Sequence, residues 1–376
     1  MKSYKLIYGC DEVKKIKFGR WILLLIIIAM IIIVFWKFGI RREKVLVVTN
    51  EIEMKDAYKS DYYLASTFFM MTDGKTVEKR TYSGKQMWKA DRMQKNIVFG
   101  KEAYYEYNSK GIIEKHELDS GELTWSTDFD ALVQYVKEDD GKLYIIIQKG
   151  QMSSIGLVVD SESGTPKFDK QFNEEQIVKM GSFGNKNYAL TLRLGRENLY
   201  SNLYIMGANG EIEYQKSYER EILTKLEEID RDGFLLYSDE YLRYMSENEE
   251  IWKYPIIEDT IDCTFDKNEM ESVFIKKANG KNTSVEKVSL NEQIVTELGV
   301  EDELNELITL EDGLIYCGEK GLYFIDGMNQ ILRLYDFDSR VYKTEDNYSN
   351  VLLVFKDRLQ LIKESYKWTG GDEYDD

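Results

Sequence analysis

Hydrophobic positions fall into two regimes along the chain. Residues 21–36 are an unbroken apolar run of sixteen, with Trp at each end. From Tyr62 onward apolar residues come in short runs such as Phe234-Leu235-Leu236-Tyr237, Leu314-Ile315-Tyr316-Cys317 and Val351-Leu352-Leu353-Val354-Phe355, punctuated by Gly, Asp and Asn. Runs of that length bounded by turn residues predict β-strands. The clearest unit is 117–125, Glu-Leu-Asp-Ser-Gly-Glu-Leu-Thr-Trp, which predicts a hairpin turning at Ser120-Gly121. Asp73-Gly74, Asp140-Gly141, Asp232-Gly233 and Asp312-Gly313 each precede a strand-like run. Asp-Gly suits tight hairpin turns that need positive φ.

The hairpin repeats. The counterparts of Gly121 are Gly84, Gly164, Gly210, Asn248, Asn291, Met328 and Glu364, at spacings of 37, 43, 46, 38, 43, 37 and 36 residues. Four residues after each turn stand Trp88, Trp125, Phe168, Tyr214, Trp252, Val295, Leu332 and Trp368, all apolar or aromatic. A period near 40 with one large apolar residue per unit predicts an all-β, eight-bladed β-propeller, with seven blades as the alternative. A single four-stranded blade cannot bury both of its faces. Stacking blades does, and a ring at a fixed position fills the wedge between neighbours. The stretch 219–232 departs from the pattern: Ile222, Leu223, Leu226 and Ile229 have helical spacing, and it reads either as a short helix or as the first strand of a blade.

The 21–36 run, extended through Phe38 and Ile40 with Lys37 reaching outward, gives about the 20 residues a bilayer-spanning helix needs. Trp21 and Trp36 would then sit at the two membrane interfaces. No small-x-small cleavage site follows, so the segment reads as a retained anchor preceding the propeller. The expected organisation is a basic cytoplasmic segment at 1–20, a transmembrane helix at 21–40, a linker at 41–60, the propeller at 61–368 and an acidic tail at 369–376. Residues 45–48 read as a short strand within that linker. Six Lys/Arg precede the span and five follow it closely, so charge alone discriminates orientation weakly. An apolar segment near the N-terminus acting as an export signal favours the N-terminus inside and the large domain outside, in the cell membrane.

Charge changes the picture of partners. The formal net charge is −17, but residues 1–44 carry ten Lys/Arg against three acids and the remainder 40 against 64. A domain this anionic argues against nucleic acid as partner.

The Asp119-x-Gly121-x-x-x-Trp125 spacing resembles the repeat of PQQ-like, quinoprotein-type propellers, over roughly residues 60–368, with partial matches at Ser83-Gly84 to Trp88 and at Asp160 to Phe168. In layout the chain resembles single-span membrane-anchored propeller proteins of Gram-positive bacteria that have no assigned activity. Sialidase Asp-boxes put the aromatic three residues after the Gly instead of four, and WD40 units end in a Trp-Asp pair that no unit here carries. The weak repeats offer no positions for the quinone-stacking, calcium-binding and catalytic acids of a quinoprotein dehydrogenase.

Motifs that carry chemistry are sparse. His116 is the one histidine, on a strand between Lys115 and Glu117. It reads as a surface or inter-blade polar residue, since Ser-His-Asp catalysis or a histidine metal site would rest on it alone. Cys263 and Cys317 fall in apolar strands of successive units, as buried thiols or as an inter-blade disulfide; Cys10 precedes the span. Asp128-Phe129-Asp130 and Asp336-Phe337-Asp338 lack the ligand ladder of a calcium loop. Asn282-Thr283-Ser284 and Asn347-Tyr348-Ser349 match the glycosylation pattern. No catalytic, cofactor-binding or metal residue is expected. The functional expectation is a membrane-anchored, non-catalytic binding or scaffolding propeller whose loops take a protein, peptide or glycan. The alternatives are a propeller enzyme, quinoprotein or glycan-active, and a sensor coupled to a membrane partner.

Overall fold

A computed structural model describes residues 41–150, 153–229, 233–246, 249–256, 260–265, 272–279, 282–290, 295–300, 304–310, 313–318, 321–325, 331–347 and 349–369. Compact unit 48–363 holds the propeller; a second unit comprises 1–47 and 364–376, of which residues 41–47 and 364–369 are described, all in β-strand.

The described strands form eight four-stranded antiparallel sheets, the expected eight-bladed propeller. Blade 1 is Asp61–Leu64, Phe68–Thr72, Thr76–Thr81 and Gln86–Asp91; blade 2 is Asn96–Phe99, Ala103–Tyr107, Ile112–Glu117 and Leu123–Asp128; blade 3 is Leu132–Asp139, Lys142–Gln148, Ser154–Asp160 and Pro166–Phe172. Blades 4 to 7 span 176–219, 223–255, 260–300 and 304–336. Strands within a blade are called a to d in chain order. Strands b are buried along their length, as in Ala103–Tyr107 and Gly233–Ser238, because neighbouring blades cover both faces. Strands d expose alternate residues: Gln86–Asp91 and Leu123–Asp128 share one burial pattern, which identifies them as the outer rim. The buried clusters straddle consecutive sheets. Tyr105, Ile113, Val133 and Ile145 join blade 2 to blade 3, and Leu190, Leu203, Phe234 and Leu236 join blade 4 to blade 5.

The eighth blade is assembled from both ends of the domain. Lys343–Asp346, Asn350–Val354 and Arg358–Thr369 supply three strands, and Arg41–Glu53 supplies the outermost. Met54 N donates to Asp357 O at 2.9 Å, Thr49 Oγ1 to Leu361 O at 3.1 Å and Gln360 Nε2 to Glu51 Oε2 at 2.7 Å. The stretch 41–60 is therefore not a linker: it holds this closing strand and a 3-10 turn at Ala57–Lys59. Its polar side chains hid it, because the rim of a propeller is half-solvated. The ring joint is apolar, with Ala57, Tyr62 and Phe69 packed against Leu352, Val354 and Leu361.

Strand a of each of blades 3 to 7 carries a β-bulge near its start, at Val133/Tyr135, Ile177/Lys179, Leu223/Lys225, Thr260/Asp262 and Leu304/Glu306. A bulge adds one residue to one strand, so inward positions fall three apart instead of two. Val133 and Val136, Ile177 and Met180, and Leu223 and Leu226 are all buried pairs of this kind. This explains the helical spacing at 219–232. Its central part is the strand Leu223–Glu228, preceded by Glu219 at the end of blade 4.

The Asp-Gly turns divide. Asp140 and Gly141 both have positive φ, 50° and 68°, between strands a and b of blade 3. Asp73-Gly74 instead lies between strands b and c of blade 1, where Asp73 Oδ1 accepts from the amides of Lys75 at 2.9 Å and Thr76 at 2.8 Å. Gly233 and Gly313 open strand b of blades 5 and 7.

Candidate functional site: an acidic cleft on blades 2 and 3

In an antiparallel blade the a–b and c–d turns emerge at the same end. On blades 2 and 3 these turns enclose a cleft of about 980 Å³. Lys101 and Glu102 come from the a–b turn of blade 2, and in blade 3 Glu138 comes from the end of strand a and Asp140 and Gly141 from the a–b turn. The c–d turns contribute Glu117 and Asp119 from blade 2 and Asp160 and Glu162 from blade 3, and Phe68 of blade 1 completes the wall. Seven carboxylates face two lysines, Lys101 and Lys115. Two of these acids, Glu138 and Asp160, accept hydrogen bonds from backbone amides at the turns.

Several of these carboxylates are held in place. Glu138 accepts from Gly141 N at 3.2 Å through Oε1 and from Lys101 N at 3.4 Å through Oε2, linking the two blades. Asp119 is almost fully exposed, yet its Oδ1 accepts from the buried Lys79 Nζ of blade 1 at 2.6 Å. The Ser163 amide, then Lys167, hold the Asp160 carboxyl down at about 2. Glu102, Glu117 and Glu162 are exposed. The wall between blades is Tyr105, whose hydroxyl donates to Ser161 O at 3.5 Å and whose burial pushes its ionisation up to about 12. The result is a fixed anionic lining with a solvated rim. Such an arrangement favours a cationic segment over an anionic or neutral one.

The sequence-predicted repeat residues lie elsewhere, on the outer strands. Trp88, Trp125, Phe168 and Tyr214 are half-buried and Trp252 is buried. Trp88 Nε1 donates to Leu118 O at 3.1 Å and Trp252 Nε1 to Leu290 O at 2.7 Å, each reaching the following blade. The turn glycine of the following blade packs on the ring: Gly121 on Trp88, Gly164 on Trp125 and Gly210 on Phe168. Val295 is an exception, exposed on its strand. In the eighth blade the corresponding contact is made by Ile52, against Gly84, because Arg41–Glu53 is the outer strand there. Trp368 stands on Arg358–Thr369, a third strand; its side chain, like that of Leu332, lies outside the described residues. Trp21, Trp36 and the expected span also lie outside them, and no described helix is long and apolar enough to cross a membrane.

The remaining motifs have structural partners. Asp130 N donates to Asp128 Oδ1 at 2.9 Å, forming a turn, and Phe129 packs on the joint between blades 2 and 3. Phe337 stacks edge-on against Phe355 at 5.9 Å, and Asp338 pairs with Arg358. Asn347 donates to Ala65 O and to Tyr82 Oη of blade 1 and accepts from Asn350 N at 3.0 Å, so its amide is committed to the ring joint. The Asn282 side chain lies outside the described residues. Cys263 and Cys317 are thiols, the second buried with Sγ 3.9 Å from Gly318 O. Sequence reading missed the cleft because its acids are spread over two blades and some sixty positions. The available signal was that most of them flank predicted turns.

No family model matches the sequence, and no curated protein matches it. Solved structures do resemble it. BamB from Moraxella catarrhalis aligns with a TM-score of 0.56 at 9% identity, over 85% of this chain and 100% of that one. Saccharomyces cerevisiae Sqt1 aligns at 0.60 and 10%, over 84% and 98%. Quinohemoprotein alcohol dehydrogenase from Comamonas testosteroni aligns at 0.54 and 9%, over 85% and 76%. At these identities the likeness is one of fold.

Proposed function

We propose that this chain is a non-catalytic binding or scaffolding propeller whose acidic cleft on blades 2 and 3 captures a lysine- or arginine-rich segment of a protein partner. The observation that carries this is the seven-to-two excess of carboxylates over lysines in one cleft. In this reading residues 21–40 span the cell membrane, residues 1–20 stay inside, and the propeller presents the cleft outside the cell. The apolar run with Trp at both ends supports the span.

The test of the cleft is fluorescence anisotropy with a labelled oligo-arginine peptide. Binding should weaken steeply with salt. The combined variant Glu102→Gln, Glu117→Gln, Glu162→Gln, all at exposed positions, should lose most of the affinity and keep its melting temperature. Peptide binding unchanged in that variant would refute the cleft as the site. Topology is tested separately with protease on intact cells, which should degrade the propeller; protection until lysis would reverse the orientation.

A further inference from the structure

On strands b and c of blade 2, at the positions that alternate with those lining the cleft, stands a second constellation. Tyr104 and His116 oppose each other on strands b and c, and their rings stack at 4.7 Å with planes 9° apart. Two residues along the ladder Glu106 opposes Glu114. One ligand atom from each of Glu106, Glu114 and His116 lies within 4.8 Å of the others. Like charges placed directly opposite on adjacent strands repel, and Glu106 is only 1% exposed. Arg92 relieves this in part. Its Nε is 4.0 Å from Glu106 Oε1, an ion pair beyond hydrogen-bond distance, and makes no hydrogen bond, while Nη2 donates to Lys95 O at 2.6 Å.

His116 supplies the independent sign. It is 8% exposed, and its Nε2 is buried with no hydrogen-bond partner. Its Nδ1 lies 3.3 Å from Gly121 O. With the proton on Nδ1 donated to that carbonyl, Nε2 carries a free lone pair. This is the arrangement in which metal-bound histidines are usually held, one nitrogen on the ion and the other on a backbone oxygen.

We propose that Glu106, Glu114 and His116 form a divalent transition-metal site. The carboxylates are already oriented for it. Glu106 Oε2 accepts from Met93 N at 2.6 Å and Gln94 N at 2.8 Å, and Glu114 Oε2 accepts from Gln94 Nε2 at 3.1 Å. Glu106 Oε1, 4.0 Å from Arg92 Nε, and Glu114 Oε1 remain for the ion. One imidazole and two carboxylates suit zinc-class ions and disfavour calcium, which takes oxygen ligands. Binding would draw the ligand atoms together to roughly 3.3 Å, the separation set by bonds of about 2 Å at a tetrahedral angle. The ion would neutralise the opposed carboxylates and pin the 92–95 connection, which leads from blade 1 to blade 2, onto the b and c strands.

The test uses the full chain, stripped with chelator and titrated with zinc chloride by calorimetry, with a thermal melt at each end point. Wild type should take up one zinc per chain and melt higher with it. His116→Phe keeps the stack on Tyr104 and removes the nitrogen. Glu114→Gln keeps the size and the hydrogen bond from Gln94 and sits at a half-buried position, so it serves should the first variant fold poorly. In each, zinc affinity should fall by at least about tenfold and the zinc-dependent rise in melting temperature should vanish. Failure of wild type to take up zinc, or uptake and stabilisation undiminished in folded variants, as surface carboxylates would give, overturns the site.

Discussion

Gly121 of blade 2 lies so close to Trp88 of blade 1 that a Cβ on the glycine would stand 3.1 Å from Cε3 of the ring. The same glycine has φ +75°, where a side chain is strained. Gly74 offers a control, with φ +85° and open space around its Cβ position. Gly121→Ala should therefore lose more stability than Gly74→Ala. Strain at positive φ costs both about 1 kcal/mol or more, and crowding adds ~1–3 kcal/mol to the first. Chemical denaturation of the two variants measures the difference; equal losses would mean the ring yields freely.

The indole nitrogens of two successive rings differ. Trp88 Nε1 donates to Leu118 O, whereas Trp125 Nε1 is buried with no partner. Trp88→Phe leaves a carbonyl without its donor; Trp125→Phe removes an unsatisfied group. The first should cost about 1 kcal/mol more than the second. Melting temperatures of the two variants check the order, and the reverse order would be inconsistent with the hydrogen bond.

These rings also show what was legible in the sequence. Trp88, Trp125 and Phe168 repeat because each closes a local hairpin, and hairpins leave a fixed spacing. That spacing pointed to eight blades with seven as the alternative, although its last member, Glu364 before Trp368, falls within the strand Arg358–Thr369 instead of at a turn. The closing strand was not legible, since Thr49 finds Leu361 more than three hundred residues away and nothing near residue 50 encodes the pairing. The bulged first strands misled in another way: Leu223 and Leu226 are three apart and inward, which imitates a helix. The cleft and the Glu106–Glu114–His116 cluster come from residues brought together by strand register, so a linear reading passed over both.

Acid should weaken the joint between blades 3 and 4. Asp139 accepts from Lys137 Nζ at 2.7 Å and from Ser182 N of blade 4 at 3.2 Å. Burial pushes its carboxyl up, but the Lys137 and Ser182 contacts together outweigh that and hold it below its ordinary 3.8. A carboxylate depressed on folding contributes stability that is complete above its unfolded value near 3.8 and is lost as pH falls through the lower folded value. Asp139→Asn should lower stability at neutral pH and flatten the fall in stability below pH 4 in urea titrations. A parallel pH profile in wild type and variant would remove Asp139 from the acid response.

Ring closure gives the last prediction. In an open array, loss of a terminal strand removes one interface and leaves the rest folded, because each unit depends on its neighbours alone. Here residues 48–53 are the outer edge of the eighth blade, and they meet the first blade as well, through Ile52 on Gly84. Tyr62 is tied to the 3-10 turn that follows, its hydroxyl donating to Ala57 O at 2.7 Å. Starting the chain at Asp61 would strip the edge of Arg358–Thr369, uncover the apolar joint formed by Leu352, Leu359 and Leu361, and leave an unpaired strand free to associate. Such a chain should aggregate or melt without cooperativity, as should one stopped at Asp338, which lacks the other three strands of the same blade. A chain of residues 41–369 should unfold in one cooperative step. A monomeric, cooperatively folded 61–369 fragment would show that the eighth blade stands without Arg41–Glu53, and that the strand at the front of the chain is an addition to the ring instead of its closure.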